Sequence, residues 1–351
     1  MSYTIRLRPS KSDLGKWTLS ELAEQVGGRV QGNANKSVTH VDELRHAQED
    51  AISHCSTIAQ KRYLQSTSAG IVILPEGNNW GYEGDCLLAR NSRIAFAQIV
   101  DLMHPEPANS AAYIAQSAFV HPTAKIADSA RIEANVVVGE NVDIGDNAVI
   151  GAGTVIGDDV IIGPGTTVDF NVSIYGHCVI GRNCRIYSCV VLGASGFSYE
   201  WDGRQWNYIR NIGGVTIGDD VDIGASTSID RGSVRSTIIG NGVKIDNNVQ
   251  IGHNVEIGDH SLIVGNVGIA GSAKIGKRCV LGGQVSIVSH VEIADDVTVQ
   301  ACSLITKSIA TSGSYSSSIP AKEASEWKRS LASLSRMIKE ASSGSTDKPK
   351  K

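Results

Sequence analysis

The chain has 351 residues, a hydrophobic content of 41%, 37 glycines and a formal net charge of -4. That length permits two domains and a large buried core, while the charge balance offers no basic stripe for nucleic acid. No apolar run is long enough to span a bilayer, the start "MSYTIRLRPSKSDLGKW" lacks the apolar stretch of a secretion signal, and the seven cysteines include no C-x-x-C pair, so a cytoplasmic protein without a zinc ribbon or redox motif is expected.

Residues 1–110 carry no short repeat. Thr18 and Glu21 form a capping box that opens a helix over "TLSELAEQVGG", which a glycine pair ends. "GIVIL" (70–74), stopped by Pro75, reads as a buried strand. "SRIAFAQIVDLM" (92–103) reads as a helix that ends near Pro105. A small α/β domain is predicted, joined through "HPEPANSAAY" (104–113) to the remainder of the chain.

From Val120 an aliphatic residue recurs every six positions without a break to Leu192, and again from Ile239 to Ile305, with Ile217, Ile223 and Ile229 keeping the beat between. A small residue or valine commonly stands four positions after each aliphatic, as at Ala148, Thr154 and Val160. Such a period marks a repeat architecture. It resembles the hexapeptide repeat of left-handed parallel β-helices, in which three hexads make one triangular coil, and it sets a prism over residues 114–310. The handedness is what that resemblance implies. Cys178, Cys184 and Cys279 hold the small inward slot and read as packed core thiols.

Two segments interrupt the beat. "GASGFSYEWDGRQWNYIRNIGG" (193–214) is rich in aromatics, and "DRGSVRST" (230–237) stretches one interval from six residues to ten. Both are predicted to leave the prism surface, where binding residues concentrate. After Pro320, Trp327, Leu331, Leu334 and Ile338 lie at helical spacing over 320–342, an apolar stripe suited to oligomer packing. Lys322, Lys328, Arg329, Arg336 and Lys339 occupy its other faces, a solvated surface or a landing place for an acidic partner. Residues 343–351 read as a disordered tail.

Each coil takes 18 residues, so positions 18 apart stack on one prism face. From His253 the column runs to Gly271, to Ser289 beside His290, and to Lys307, about 14 Å in all at the usual strand spacing. A neutral imidazole can take a proton from an attacking amine or hydroxyl. A neighbouring backbone N–H can stabilise an oxyanion, and a histidine with a lysine can hold an anionic group such as phosphate. Asp246, seven residues before His253, either orients the imidazole or solvates a turn. Counting alone leaves open whether His253 is a general base or a surface histidine on a rigid scaffold.

"TSIDRG" (227–232), "TIIGNGVKIDNNVQIGHNVEIGD" (237–259), "GGQVSIVSHVEI" (282–293) and "YSSSIP" (315–320) together resemble the UDP-3-O-acylglucosamine N-acyltransferases. The order of leading domain, prism and C-terminal helix is similar over nearly the whole chain, and the leading domain and "IDRG" separate it from the related O-acyltransferases. The resemblance implies transfer of a (3R)-3-hydroxyacyl group from acyl carrier protein, as its 4'-phosphopantetheine thioester, to the 2-amine of UDP-3-O-acylglucosamine, with no further cofactor and no metal. It implies a homotrimer with clefts between subunits. It gives His253 as catalytic base, Asp246 as its supporting acid, Gly271 as oxyanion donor, and His290, Lys307 and Phe197 as substrate-binding residues. Leu304 is a candidate to set acyl-chain length.

The chain departs from the family at three places, the first being Lys307, which stands where the family commonly has arginine and keeps the charge but weakens bidentate phosphate contact. The family's aromatic pair for uracil is matched by "HCSTIAQ" (54–60), with His54, Thr57 and Gln60 at its key positions, and Ser195 and Ser198 replace an acid and a glycine in "GASGFSY". Competing readings are a zinc hydratase, for which the prism lacks the required His-x4-His pair; an acyltransferase using coenzyme A and another amino-sugar; and a catalytically silent paralogue.

Overall fold

The computed structural model describes residues 15–105 and 112–343. The first fourteen residues, 106–111 of the connecting stretch and 344–351 of the tail lie outside the described residues; Ser343 ends a helix. The chain divides after Ser110 into two compact units.

In the first unit the capping box forms as read. Thr18 Oγ1 accepts from the Glu21 N–H at 3.2 Å, and Glu21 Oε2 accepts from the Thr18 N–H at 2.8 Å. Helix Leu19–Val26 follows and ends at Gly27, whose φ of 63° lies in the left-handed region that glycine enters without a Cβ clash. A five-stranded sheet runs Arg29–Gln31, Cys86–Ala89, Ile71–Pro75, Ala51–His54, His40–Val41, parallel except for its first pair. Period-two alternation sends Ile71 and Ile73 to one face, against Leu19, Leu22 and Ile99, and Val72 and Leu74 to the other, against Leu44 and Leu64. Both faces are thus covered, which is why "GIVIL" is apolar throughout. Helix Ser92–Met103 is capped by Asn91, whose side chain accepts from the N–H groups of Arg93 and Ile94.

The second unit is a parallel β-helix with three sheets. Short strands stack in register 18 residues apart, as Ile251 on Ile269 on Ile287 on Ile305. We call the nine-stranded sheet through Glu256–Ile257 the first face, the eleven-stranded sheet through Lys244–Ile245 the second, and the ten-stranded sheet through Gln250–Ile251 the third. The hexad aliphatics fill the interior in one continuous cluster. At most corners from Asn135 on, the chain turns through a residue of positive φ, commonly asparagine, which tolerates that region.

The small inward slot has its own chemistry. Thr227 is fully buried; its hydroxyl donates to the Asp246 carbonyl at 2.8 Å and accepts from the Val249 N–H at 3.1 Å. Cys279 occupies the same slot, donating weakly to the Ala294 carbonyl. Burial pushes thiols in these slots up, to about 11 for Cys178, so they are inert packing groups.

At the two interruptions the register lengthens. Cys178 pairs with Val215 and Val215 with Thr237, so the extra residues loop out without breaking the stack. The first excursion contains a β-hairpin, Tyr199–Trp201 against Trp206–Tyr208. Past the prism, helix Ala324–Ser343 presents Leu331, Leu334 and Ile338 exposed.

Candidate active site

His253 follows strand Gln250–Ile251, at the corner where the third face turns into the first. Its imidazole lies directly against the next coil. A Cβ built on Gly271 would stand 2.7 Å from His253 Nε2, so no side chain fits there while the ring keeps its place. Gly196, from the first excursion, closes on the ring from another side, with a built Cβ 3.0 Å from His253 Cβ. Asn211, 2% exposed, secures that loop by donating to the Gly196 carbonyl at 3.1 Å and accepting from the Ser198 hydroxyl at 3.3 Å.

The backbone at 271 also bears on the chemistry. In several other coils the backbone N–H at this hexad position is taken by an aspartate of the coil above: Glu140 by Asp158, Asn241 by Asp259 and Lys277 by Asp295, at 2.8–2.9 Å. Above Gly271 stands Ser289, and among the described residues the Gly271 N–H has no acceptor. An open backbone donor beside an imidazole is the pairing that stabilises an oxyanion and moves a proton at one centre.

A cavity of about 710 Å³ opens here, lined by His253, Gly271, Phe197, Tyr199, Asp230 and Gln250 among others. Phe197, Tyr199 and Tyr208 form its aromatic wall, with successive ring centroids 5.0 and 5.4 Å apart. Of the residues singled out from sequence, the fold brings His253, Gly271 and Phe197 into this cavity. His290 and Lys307 stand exposed further along the same corner, and the His290 N–H donates to the Gly271 carbonyl at 3.3 Å. Leu304 is exposed on the third face, in the column of Gln250, Gly268 and Ser286. Asp246 sits at the other end of that face, its carboxylate accepting from the N–H groups of Asn247 at 2.8 Å and Gly265 at 2.9 Å.

Within the chain, the acid lining the cavity with His253 is Asp230. Burial holds its carboxyl above the usual range, while Gln250 and the charge of His253 pull the other way. A half-buried carboxylate facing an imidazole is suited to receive an ammonium group. Among the described residues, no group of three or more metal-ligating side chains comes together, and no helix is long and apolar enough to cross a membrane.

The first unit has a cavity of its own, of about 640 Å³, lined by His54, Phe96, Tyr63, Gln60, Arg45 and others. His54 stacks on Phe96 with centroids 4.2 Å apart, and the Arg45 guanidinium lies 4.0 Å from the Tyr63 ring centre. Burial and the nearby Arg93 push the His54 imidazole down, toward its neutral form.

Comparison with known proteins agrees with this architecture. The family described as UDP-3-O-(3-hydroxymyristoyl) glucosamine N-acyltransferase matches residues 35–102. Bacterial transferase hexapeptide repeats match 123–158, 159–194 and 236–271, and the hexapeptide repeat of succinyl-transferase matches 214–253 and 272–307. A UDP-3-O-acylglucosamine N-acyltransferase of Pseudomonas paraeruginosa is 40% identical over 91% of this chain and 90% of its own length. The enzyme of that name from Ectopseudomonas mendocina is 41% identical over the same shares. A solved UDP-N-acetylglucosamine acyltransferase of Francisella novicida superposes with a TM-score of 0.45 at 26% identity, covering 61% of this chain and 71% of its own. Similarity at that level to full-length relatives, spanning both units, shows that the chain belongs to the UDP-3-O-acylglucosamine N-acyltransferase family.

Proposed function

We propose that the protein transfers a 3-hydroxyacyl group from a thioester to the 2-amine of UDP-3-O-acylglucosamine, the N-acylation step of lipid A synthesis. The observation that carries this reading is the single centre formed by the His253 imidazole and the open Gly271 N–H inside an aromatic-walled cavity. The amine nitrogen attacks the thioester carbonyl, His253 Nε2 takes the amine proton, and the Gly271 N–H donates to the oxyanion of the tetrahedral intermediate. The C–S bond then breaks and the proton passes to the departing thiolate, leaving an amide and a free thiol. Asp230 attracts the incoming ammonium, which gives its extra proton to solvent before the neutral amine attacks.

In this reading the donor is acyl carrier protein, whose acidic surface meets the basic residues of helix Ala324–Ser343. His290 and Lys307 hold the pyrophosphate, and Leu304 limits the depth of the acyl groove. Uracil lies in the cavity of the first unit, where the His54–Phe96 stack and Tyr63 supply aromatic surface in place of the family's pair. The β-helix is left-handed and the molecule a homotrimer, in which Asp246 of one copy serves the His253 of the next.

The test is the initial rate of N-acylation with matched 3-hydroxyacyl donors on acyl carrier protein and on coenzyme A. Turnover with the carrier-protein donor, at least tenfold above the coenzyme A thioester, is expected. Equal rates would remove the carrier protein from the account, and turnover with neither would remove the acyltransferase reading.

A further inference from the structure

The imidazole of His253 has a second nitrogen, and its surroundings decide which of the two carries the proton. His253 Nδ1 lies 3.2 Å from Asn254 Oδ1. An amide can in general be built either way round, but both ends of this one are fixed by backbone groups. The Ser233 N–H donates to Oδ1 at 2.9 Å, and Nδ2 donates to the Arg235 carbonyl at 3.1 Å. The Ser233 hydroxyl also donates to Oδ1. A backbone N–H cannot accept and a carbonyl cannot donate, so the atom facing Nδ1 is an acceptor. A hydrogen bond between them requires the proton on Nδ1. The lone pair of the neutral ring is then on Nε2, the nitrogen beneath Gly271.

Asn254 is itself held in place. Its φ is 58°, its N–H donates to Thr237 Oγ1 at 2.9 Å, and that hydroxyl donates to the Asp230 carbonyl at 2.7 Å. Ser233, Arg235, Thr237 and Asp230 all belong to the turn where one interval lengthens to ten residues. The catalytic mechanism makes no other use of Asn254, nor of the turn beyond the side chain of Asp230.

We infer that the widened turn 230–237 is a tautomer lock, acting through Asn254 as a positioning residue that keeps the proton of His253 on Nδ1 and its basic lone pair on Nε2. This rests on the reading of His253 as the general base, but the lock has a signature independent of turnover.

The experiment is nitrogen NMR on protein labelled with 15N-histidine, at a pH above the imidazole titration. The His253 signals are assigned by their loss in His253→Ala. The wild type is expected to show a protonated, pyrrole-type Nδ1 and a pyridine-type Nε2. Asn254→Gly tolerates the positive φ and removes the acceptor; its two nitrogen shifts should move toward one another, and kcat should fall roughly tenfold to a thousandfold with KM within about twofold. Asn254→Asp keeps an oxygen facing Nδ1 and should retain the wild-type shift pattern and most of the turnover. A pyridine-type Nδ1 in the wild type would overturn the lock, as would unchanged shifts and kcat in Asn254→Gly. Turnover surviving in His253→Ala would instead overturn the base reading, while the wild-type spectrum would still decide the tautomer.

Discussion

Glycine at position 271 admits the His253 ring because it has no Cβ, and its amide is left open because Ser289, not an aspartate, stands above it. Gly271→Ala is expected to displace the imidazole and lower kcat by about 100-fold or more, with the circular dichroism spectrum unchanged. Near-normal kcat would separate the ring from the chemistry. Asp230 allows a second prediction. Its carboxyl titrates above the unfolded value when folded, so the folded state disfavours the charged form. That penalty is absent below the unfolded pKa of about 3.9 and complete above the folded one. Asp230→Asn should therefore raise Tm at neutral pH and leave it unchanged near pH 3; a lowered Tm at neutral pH would contradict this. His253 and Gly271 were legible in the sequence because the register is unbroken from Ile245 to Ile305, so adding 18 reaches the right neighbour. Asp230 was not, because the pairing of Ser228 with Gln250 spans 22 residues and counting by coils misses it. Asn254 was hidden as an ordinary corner asparagine, since its distinction lies in what the widened turn presents to it.

The two excursions are tied to one another. Arg231, in the second, donates from its guanidinium to the carbonyls of Gly193 and Gly176, each at 2.8 Å. Gly193 begins the first excursion and Gly176 belongs to the coil beneath it, so one planar fork ties the departure point of the loop to the prism. Arg231→Ala should make the Tyr199–Tyr208 hairpin several-fold more sensitive to limited proteolysis and reduce turnover about tenfold or more, while the prism strands remain resistant. Equal cleavage rates would show that the loop is held elsewhere. The sequence marked this segment as an interruption but not as a hairpin, because its aromatics pair with one another rather than with the interior. The prism strands, by contrast, follow from periodicity alone, each inward aliphatic reporting its own coil. In the first unit, the capping box and "GIVIL" were readable for local reasons, whereas the cavity beside His54 depends on Phe96 and Tyr63 arriving from separate elements.

On the scale of the molecule, a single chain leaves apolar surface uncovered. Phe119, Val137 and Val155 stack in one column of the third face and are 58, 38 and 48% exposed, and the stripe of helix Ala324–Ser343 is likewise bare. Surface of this kind is expected to be buried between copies, consistent with the proposed homotrimer and with an Asp246 that acts across an interface. Co-expressing His253→Ala with Asp246→Ala should then yield mixed trimers with restored turnover, since some sites pair an intact histidine with an intact aspartate of the neighbour. No restoration would place both groups in one chain or remove Asp246 from the mechanism. The central claim is that His253 is the base of an N-acyl transfer, and its most direct test is the single-turnover rate of UDP-3-O-acylglucosamine N-acylation by wild type and His253→Ala at saturating donor. A fall of at least about 100-fold with nucleotide-sugar affinity retained is the predicted result; a His253→Ala rate near that of the wild type would contradict it.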